Sequence, residues 1–185
     1  MDFGFIGAGN MATAIISGVL LKGYIKPKNI YIYDIDLSKM QNMSKYSVEM
    51  ISDINRLVLQ CDCVFLTVKP QVCKTVLESI APLLSADKII VSVAAGITIE
   101  TIRKIIGPDR KVIRVMPNTP LLLGAGASAL VFEPPVSEQE FAVVKGMFGA
   151  CGMTETVSES DMDAVTAVSG SAPAYFSSSI AIVRS

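Results

Sequence analysis

Histidine is absent from this 185-residue chain, which removes His-based triads, His proton shuttles and His-ligated metal sites from consideration. Charge is scarce and balanced. Charged residues make up 18%, and 16 Lys plus Arg against 17 Asp plus Glu leave a net charge of -1. No excess basic field remains to hold nucleic acid or an anionic membrane, so neither is an expected partner. The four cysteines, Cys61, Cys63, Cys73 and Cys151, include no C-x-x-C pair. No zinc framework results, no metal is expected, and reduced, buried thiols suit a cytoplasmic protein, although four thiols are enough for two disulfides. Long apolar runs are missing too. The stretch from Phe3 to Leu21 is preceded by Asp2 and interrupted by Gly7, Gly9, Asn10 and Thr13, so it reads as neither a signal peptide nor a membrane span.

What is present is a core-forming composition. Hydrophobic residues reach 51% and the mean hydropathy is +0.50, too apolar for a disordered chain. Short β-branched runs at Phe3 to Ile6, Ile30 to Tyr33, Val64 to Val68, Ile89 to Val93 and Val112 to Met116 are expected as strands. Being nearly continuous rather than alternating, they suit strands covered on both faces, hence a mostly parallel α/β sheet. Helical stripes lie between them: Met11, Ile15 and Val19 with Ala12, Ile16 and Leu20; then Val72, Val76, Ile80 and Leu84; then Ile99, Ile102 and Ile106 ahead of Gly107-Pro108. Ser137-Glu-Gln-Glu140 reads as a capping box opening a further helix, and the alternation is expected to continue to about Val157. Ser158 to Ala167 reads as a short helix, with a break at Ser169 to Pro173 before another.

Gly7-Ala-Gly9-Asn-Met-Ala12 follows the first strand and opens the first helix, the context in which G-x-G-x-x-A binds a dinucleotide. The first glycine permits a tight turn, the second lets backbone N–H groups approach a pyrophosphate, and Ala12 lets helix and strand pack closely. Asp34 ends the second strand 22 residues after Ala12, where a carboxylate accepts hydrogen bonds from an adenosine ribose. With no arginine nearby in sequence, it favours NADH over NADPH, since a 2′-phosphate would meet like charge. A solvated acid in a β-to-α loop is the competing reading of Asp34, as an ordinary glycine turn is of the motif.

Further stretches sit at strand ends: Val68-Lys-Pro-Gln71, Ala94-Ala-Gly96, Met116-Pro-Asn-Thr-Pro120 and, later, Gly124-Ala-Gly-Ala-Ser128. With Gly7-Ala-Gly-Asn-Met11 and the run from Ala164 to Tyr175, they resemble pyrroline-5-carboxylate reductase over residues 1 to about 176. The resemblance implies reduction of 1-pyrroline-5-carboxylate to L-proline with NADH or NADPH. It also implies a Rossmann domain over 1–157, the start of a helical dimerisation domain over 158–185, and a homo-oligomer in the full-length form. It implies cofactor contacts at Gly7, Ala8, Gly9, Asn10 and Met11, at Val68, Lys69 and Pro70, at Ala94, Ala95 and Gly96, and at Pro117 and Asn118. Asn55 lies near a cofactor-contacting asparagine of the family, one residue short in spacing.

Lys69, Ser169 and Ser171 are the candidates for orienting the substrate. For Lys69 the alternative is a lysine reaching from a strand end into water; for the serines it is helix capping. An imine suits a chain without histidine, because it can enter already protonated and leave the protein only orientation to perform. Two departures stand out. Ala172 replaces a family glycine, and the family's Gly-Gly-Thr-Thr loop does not occur, so the chain is expected to be truncated and a weak catalyst. The alternatives are another imine or β-hydroxyacid reductase of the same architecture, or a non-catalytic dinucleotide-binding module.

Overall fold

The structure, a computed structural model, describes residues 1–118, 121, 126–162 and 165. The five apolar runs correspond to strands β1 (Phe3–Ile6), β2 (Ile30–Tyr33), β4 (Cys63–Leu66), β5 (Ile89–Ser92) and β6 (Lys111–Pro117), and three strands not expected from the sequence join them, β3 (Glu49–Met50), β7 (Gly126–Phe132) and β8 (Gly152–Thr156). They make one sheet of order β3-β2-β1-β4-β5-β6-β7-β8. Its first six positions are the doubly wound nucleotide-binding order, with a crevice at the switch point between β1 and β4. Every pairing is parallel except β6 with β7. The helices are α1 (Asn10–Leu21), α2 (Leu37–Asn42), α3 (Ile54–Gln60), α4 (Pro70–Ile80), α5 (Ile99–Ile106) and α6 (Glu138–Gly149).

Both faces of the sheet are covered, as the continuous apolar strands require. On one face Phe3, Phe5, Phe65, Val91 and Ile113 pack with Ala12, Ile15, Ile16 and Val19 of α1 and with Phe141, Val144 and Phe148 of α6. Phe5 and Phe65 stack across β1 and β4 with ring centroids 4.5 Å apart. On the other face Val64, Leu66, Ile90 and Val112 meet Leu57 of α3, Leu77 and Ile80 of α4, and Ile102 of α5. The expected capping box is present: Ser137 accepts from the Glu140 N–H while the Glu140 carboxylate accepts from the Ser137 N–H.

Several expectations need correction. The fourth strand is Cys63–Leu66, ending two residues before Val68, because Pro70 has no N–H to donate and starts α4. The buried side of α4 is Cys73, Leu77 and Ile80, while Val72 is 45% exposed; the apolar stripe is rotated by one position. Ser158 caps a 3-10 turn at Glu159–Asp161, with helical residues only from Met162. Met162 and Val165 are buried against the α5 face. Ser169 and Ser171, Thr119 and Pro120, and most of the Ala164 to Tyr175 run lie outside the described residues.

Candidate functional site

Parallel strands bring the ends of β1, β2, β4, β5 and β6 to one edge, where the described candidates from Gly7 to Met11, Asp34, Val68 to Pro70, Ala94 to Gly96, Pro117 and Asn118 lie at or just after the ends of those strands. Gly7 leaves β1 with φ +106, a region that side-chain-bearing residues avoid. A Cβ at Gly7 would lie 2.6 Å from the Thr67 carbonyl oxygen, so the turn is closed to anything but glycine. Its N–H donates to the Tyr33 carbonyl at 2.7 Å. Gly9 differs: nothing lies within 4 Å of where its Cβ would be. It is the N-cap of α1, with no side chain capping the helix, so first-turn N–H groups and the positive end of the helix dipole face open space. Asn10 is exposed and Met11 half-buried in that first turn, and Ala12 is fully buried beneath it.

Asp34 is tied into the same turn. Its Oδ2 accepts the Ala8 N–H at 2.7 Å and its Oδ1 accepts the Asp36 N–H at 2.9 Å. A carboxylate has about four acceptor positions, so Asp34 can steady the turn and still take ribose hydroxyls. Lys39, the nearest following cation in sequence, sits 3.8 Å from Asp36. The Asp36 carboxyl is held below its ordinary range, chiefly by the hydroxyl and N–H of Ser38.

Thr67 completes this corner. Its hydroxyl donates to the carbonyls of Gly7 at 2.7 Å and Ile6 at 3.0 Å, fastening the end of β4 to the end of β1 across the switch point. Sequence reading passed over Thr67; the available signal was a hydroxyl residue between an apolar strand and Val68-Lys-Pro70. After it, Val68 is half-buried and Lys69 and Pro70 are exposed. Lys69 is the N-cap of α4 and Pro70 its first residue. Asn55 is exposed in the first turn of α3, its N–H bound to the N-cap Asp53.

The loops after β5 and β6 form the other half of the edge. Ala94 is buried, Ala95 exposed, and Gly96 turns with φ +74. Pro117 and Asn118 are buried. The Asn118 side-chain oxygen accepts the Ala127 N–H at 2.8 Å, yet its Nδ2 is buried without a partner among the described residues. A buried donor left in this state is costly unless a ligand meets it.

Among the described residues, no group of His, Cys, Asp and Glu could hold a metal ion, and no helix is long and apolar enough to cross a membrane. All four cysteines are free and buried. Burial pushes the Cys61 thiol up to about 12 and that of Cys151 to about 11, so neither supplies a thiolate nucleophile near neutral pH.

A turn that only glycine can make, a helix start with open space above it and an acid at the end of β2 together fit a dinucleotide. Residues 2–96 match the family described as NADP oxidoreductase, coenzyme F420-dependent. The chain belongs to this family. Its relatives include the pyrroline-5-carboxylate reductase of Arabidopsis thaliana, 40% identical over 173 residues, covering 93% of this chain and 62% of the relative. Among solved structures, the pyrroline-5-carboxylate reductase of Coxiella burnetii superposes with TM-score 0.89 at 34% identity, over 94% of this chain and 65% of that one. The Plasmodium falciparum pyrroline carboxylate reductase, solved with NADP bound, superposes with TM-score 0.84 at 31% identity, over 95% of this chain and 64% of that one. The chain thus spans a little under two thirds of the length of these relatives.

Proposed function

We propose that the chain is the dinucleotide-binding part of a reductase that converts 1-pyrroline-5-carboxylate to L-proline. The observation that carries this is 40% identity with a pyrroline-5-carboxylate reductase over 173 residues, 93% of this chain. Bound NADH or NADPH supplies the hydride that reduces the C=N bond. The protein's own part is to bind and orient. Uncapped N–H groups at Asn10 and Met11 receive the pyrophosphate, Ala8 and Gly9 let it approach, and Asp34 takes the adenosine ribose. Val68 to Pro70, Ala94 to Gly96, Pro117 and Asn118 hold the nicotinamide side, where the free Asn118 Nδ2 donates to a carbonyl or carboxylate oxygen.

The half-buried Asp34 carboxylate supports NADH over NADPH, because a 2′-phosphate beside it would meet negative charge. Lys69, with Ser169 and Ser171, would orient the imine acid, and oligomerisation through a helical segment beyond residue 157 belongs to the same proposal. Free, buried cysteines support a reducing compartment such as the cytoplasm. The test is to titrate the 185-residue chain with NADH, then supply pyrroline-5-carboxylate and quantify proline. Saturable binding with proline formed, at however low a rate, is the expected result. No binding, or hydride transfer only to 3-oxo acids and not to the imine acid, overturns it.

A further inference from the structure

One charged pair on the α5 side of the sheet has no part in holding the cofactor directly. Arg114, in mid-β6, is 2% exposed. Its Nη1 donates to Glu159 Oε1 at 3.1 Å. The same oxygen accepts the N–H of Ile99 at 3.1 Å, the first residue of α5, where unpaired amides and the helix dipole favour a negative charge. One carboxylate oxygen therefore ties β6 and the start of α5 to the turn at Glu159–Asp161. The other oxygen, Oε2, is buried without a partner among the described residues.

Stability alone does not account for this arrangement. Desolvating two charges is costly, and an incompletely bonded carboxylate recovers only part of that cost. Met162 and Val165, buried in the same apolar cluster as Ile99 and Ile102, already anchor the segment by apolar burial. What a directional charged pair adds is a fixed position. The segment that needs one is 93–98, between β5 and α5. Its internal hydrogen bonds are long: Ala94 N–H to Ser92 Oγ at 3.3 Å and Ile97 N–H to the Ala94 carbonyl at 3.4 Å. Arg114 meanwhile lies on the strand that ends at Pro117, with Asn118 the next residue. The pair thus reaches both loops assigned to the nicotinamide side, while the adenosine side is built separately from Ala8, Asp34 and Thr67.

We propose that Glu159, through Arg114 and the Ile99 N–H, is a positioning residue that sets the loops at 94–96 and 117–118 for the nicotinamide half of the cofactor. This rests on the reading of those loops given under the proposed function. The test compares two ligands on the 185-residue chain: ADP-ribose, which lacks the nicotinamide, and NADH. Glu159→Gln keeps an acceptor for Ile99 but loses the charge facing Arg114. It is expected to leave ADP-ribose affinity within about twofold and weaken NADH about tenfold, the low end for losing a charged hydrogen bond. The bound reduced nicotinamide should fluoresce more like the free form. The double variant Arg114→Met/Glu159→Gln guards against a folding defect: it removes both charges together and keeps the acceptor for the Ile99 N–H, so it should melt within a few degrees of the parent and still show the selective NADH loss. Equal weakening of both ligands, or a parental NADH to ADP-ribose ratio in both variants, overturns the proposal. Failure of the parent chain to form proline while it binds NADH counts against the reductase reading and leaves this ligand comparison decisive.

Discussion

The turn after β1 and the loops after β5 and β6 share one edge of one sheet, yet they are held in different ways. At the β1 corner the groups that shape the turn have short partners: Gly7 N–H to Tyr33, Ala8 N–H to Asp34, and the Gly7 carbonyl to Thr67. At the far corner the Asn118 amide nitrogen, the Ser128 hydroxyl and one Glu159 oxygen are buried with no partner among the described residues, and the bonds within 93–98 are long. The turn of the first corner is braced before any ligand arrives, with the N–H groups at the start of α1 left open. The second is positioned from a distance by Glu159 and keeps donor and acceptor capacity in reserve, so ligand selectivity is expected to reside there and generic dinucleotide affinity at the first.

The comparison is broken most severely at Gly7. Gly7→Ala forces a side-chain residue to φ +106 and drives a Cβ to 2.6 Å from the Thr67 carbonyl oxygen. With strain of about 1–3 kcal/mol, the chain should melt several degrees lower and bind NADH at least about tenfold more weakly. Gly9→Ala is the control in the same motif. Nothing lies within 4 Å of its Cβ position, so thermal melting should match the parent while NADH titration still shows weaker binding, because the methyl occupies space meant for the pyrophosphate. A Gly9→Ala chain that melts early, or binds NADH normally, would remove the argument that this space is a ligand cradle.

An intermediate effect is expected at Asp34. Asp34→Asn removes the charge but retains one acceptor oxygen for the turn. Two unit charges about 4 Å apart in water interact by about 1 kcal/mol, so the ratio of NADPH to NADH affinity should rise about fivefold, as measured by parallel titrations. An unchanged ratio would mean that the carboxylate serves the Ala8 clamp alone. The smallest effect belongs to Thr67→Val, which keeps the shape and deletes the hydroxyl that joins β4 to β1. The loss of about 1 kcal/mol should appear as a drop of a few degrees in melting temperature, with ADP-ribose and NADH weakened equally. Unequal weakening would show that the two corners are less independent than their hydrogen bonds indicate.

Sequence reading was strongest where the signal is local. β1 and β2 match their expected bounds residue for residue, α5 ends at Ile106 before Gly107, and the capping box opens α6. It was weakest where an element lacks an apolar run: β3 is the exposed pair Glu49–Met50, β8 is the half-polar Gly-Met-Thr-Glu-Thr, and β7 opens with small residues. Each is a strand because a neighbouring strand supplies its hydrogen bonds, a condition absent from its own residues.

The glycine turn, the apolar strands and the acid after β2 were determined by the sequence alone, because φ preference, side-chain periodicity and charge act over a few residues or at a fixed spacing. The tertiary structure alone decided that β7 runs antiparallel to β6, that Asp34 clamps Ala8 across 26 positions, that Thr67 fastens Gly7 across 60, and that Glu159 reaches Arg114 and Ile99 across 45 and 60. A hydrogen bond needs its two atoms within about 3 Å, and at such separations along the chain only the packed sheet brings them there.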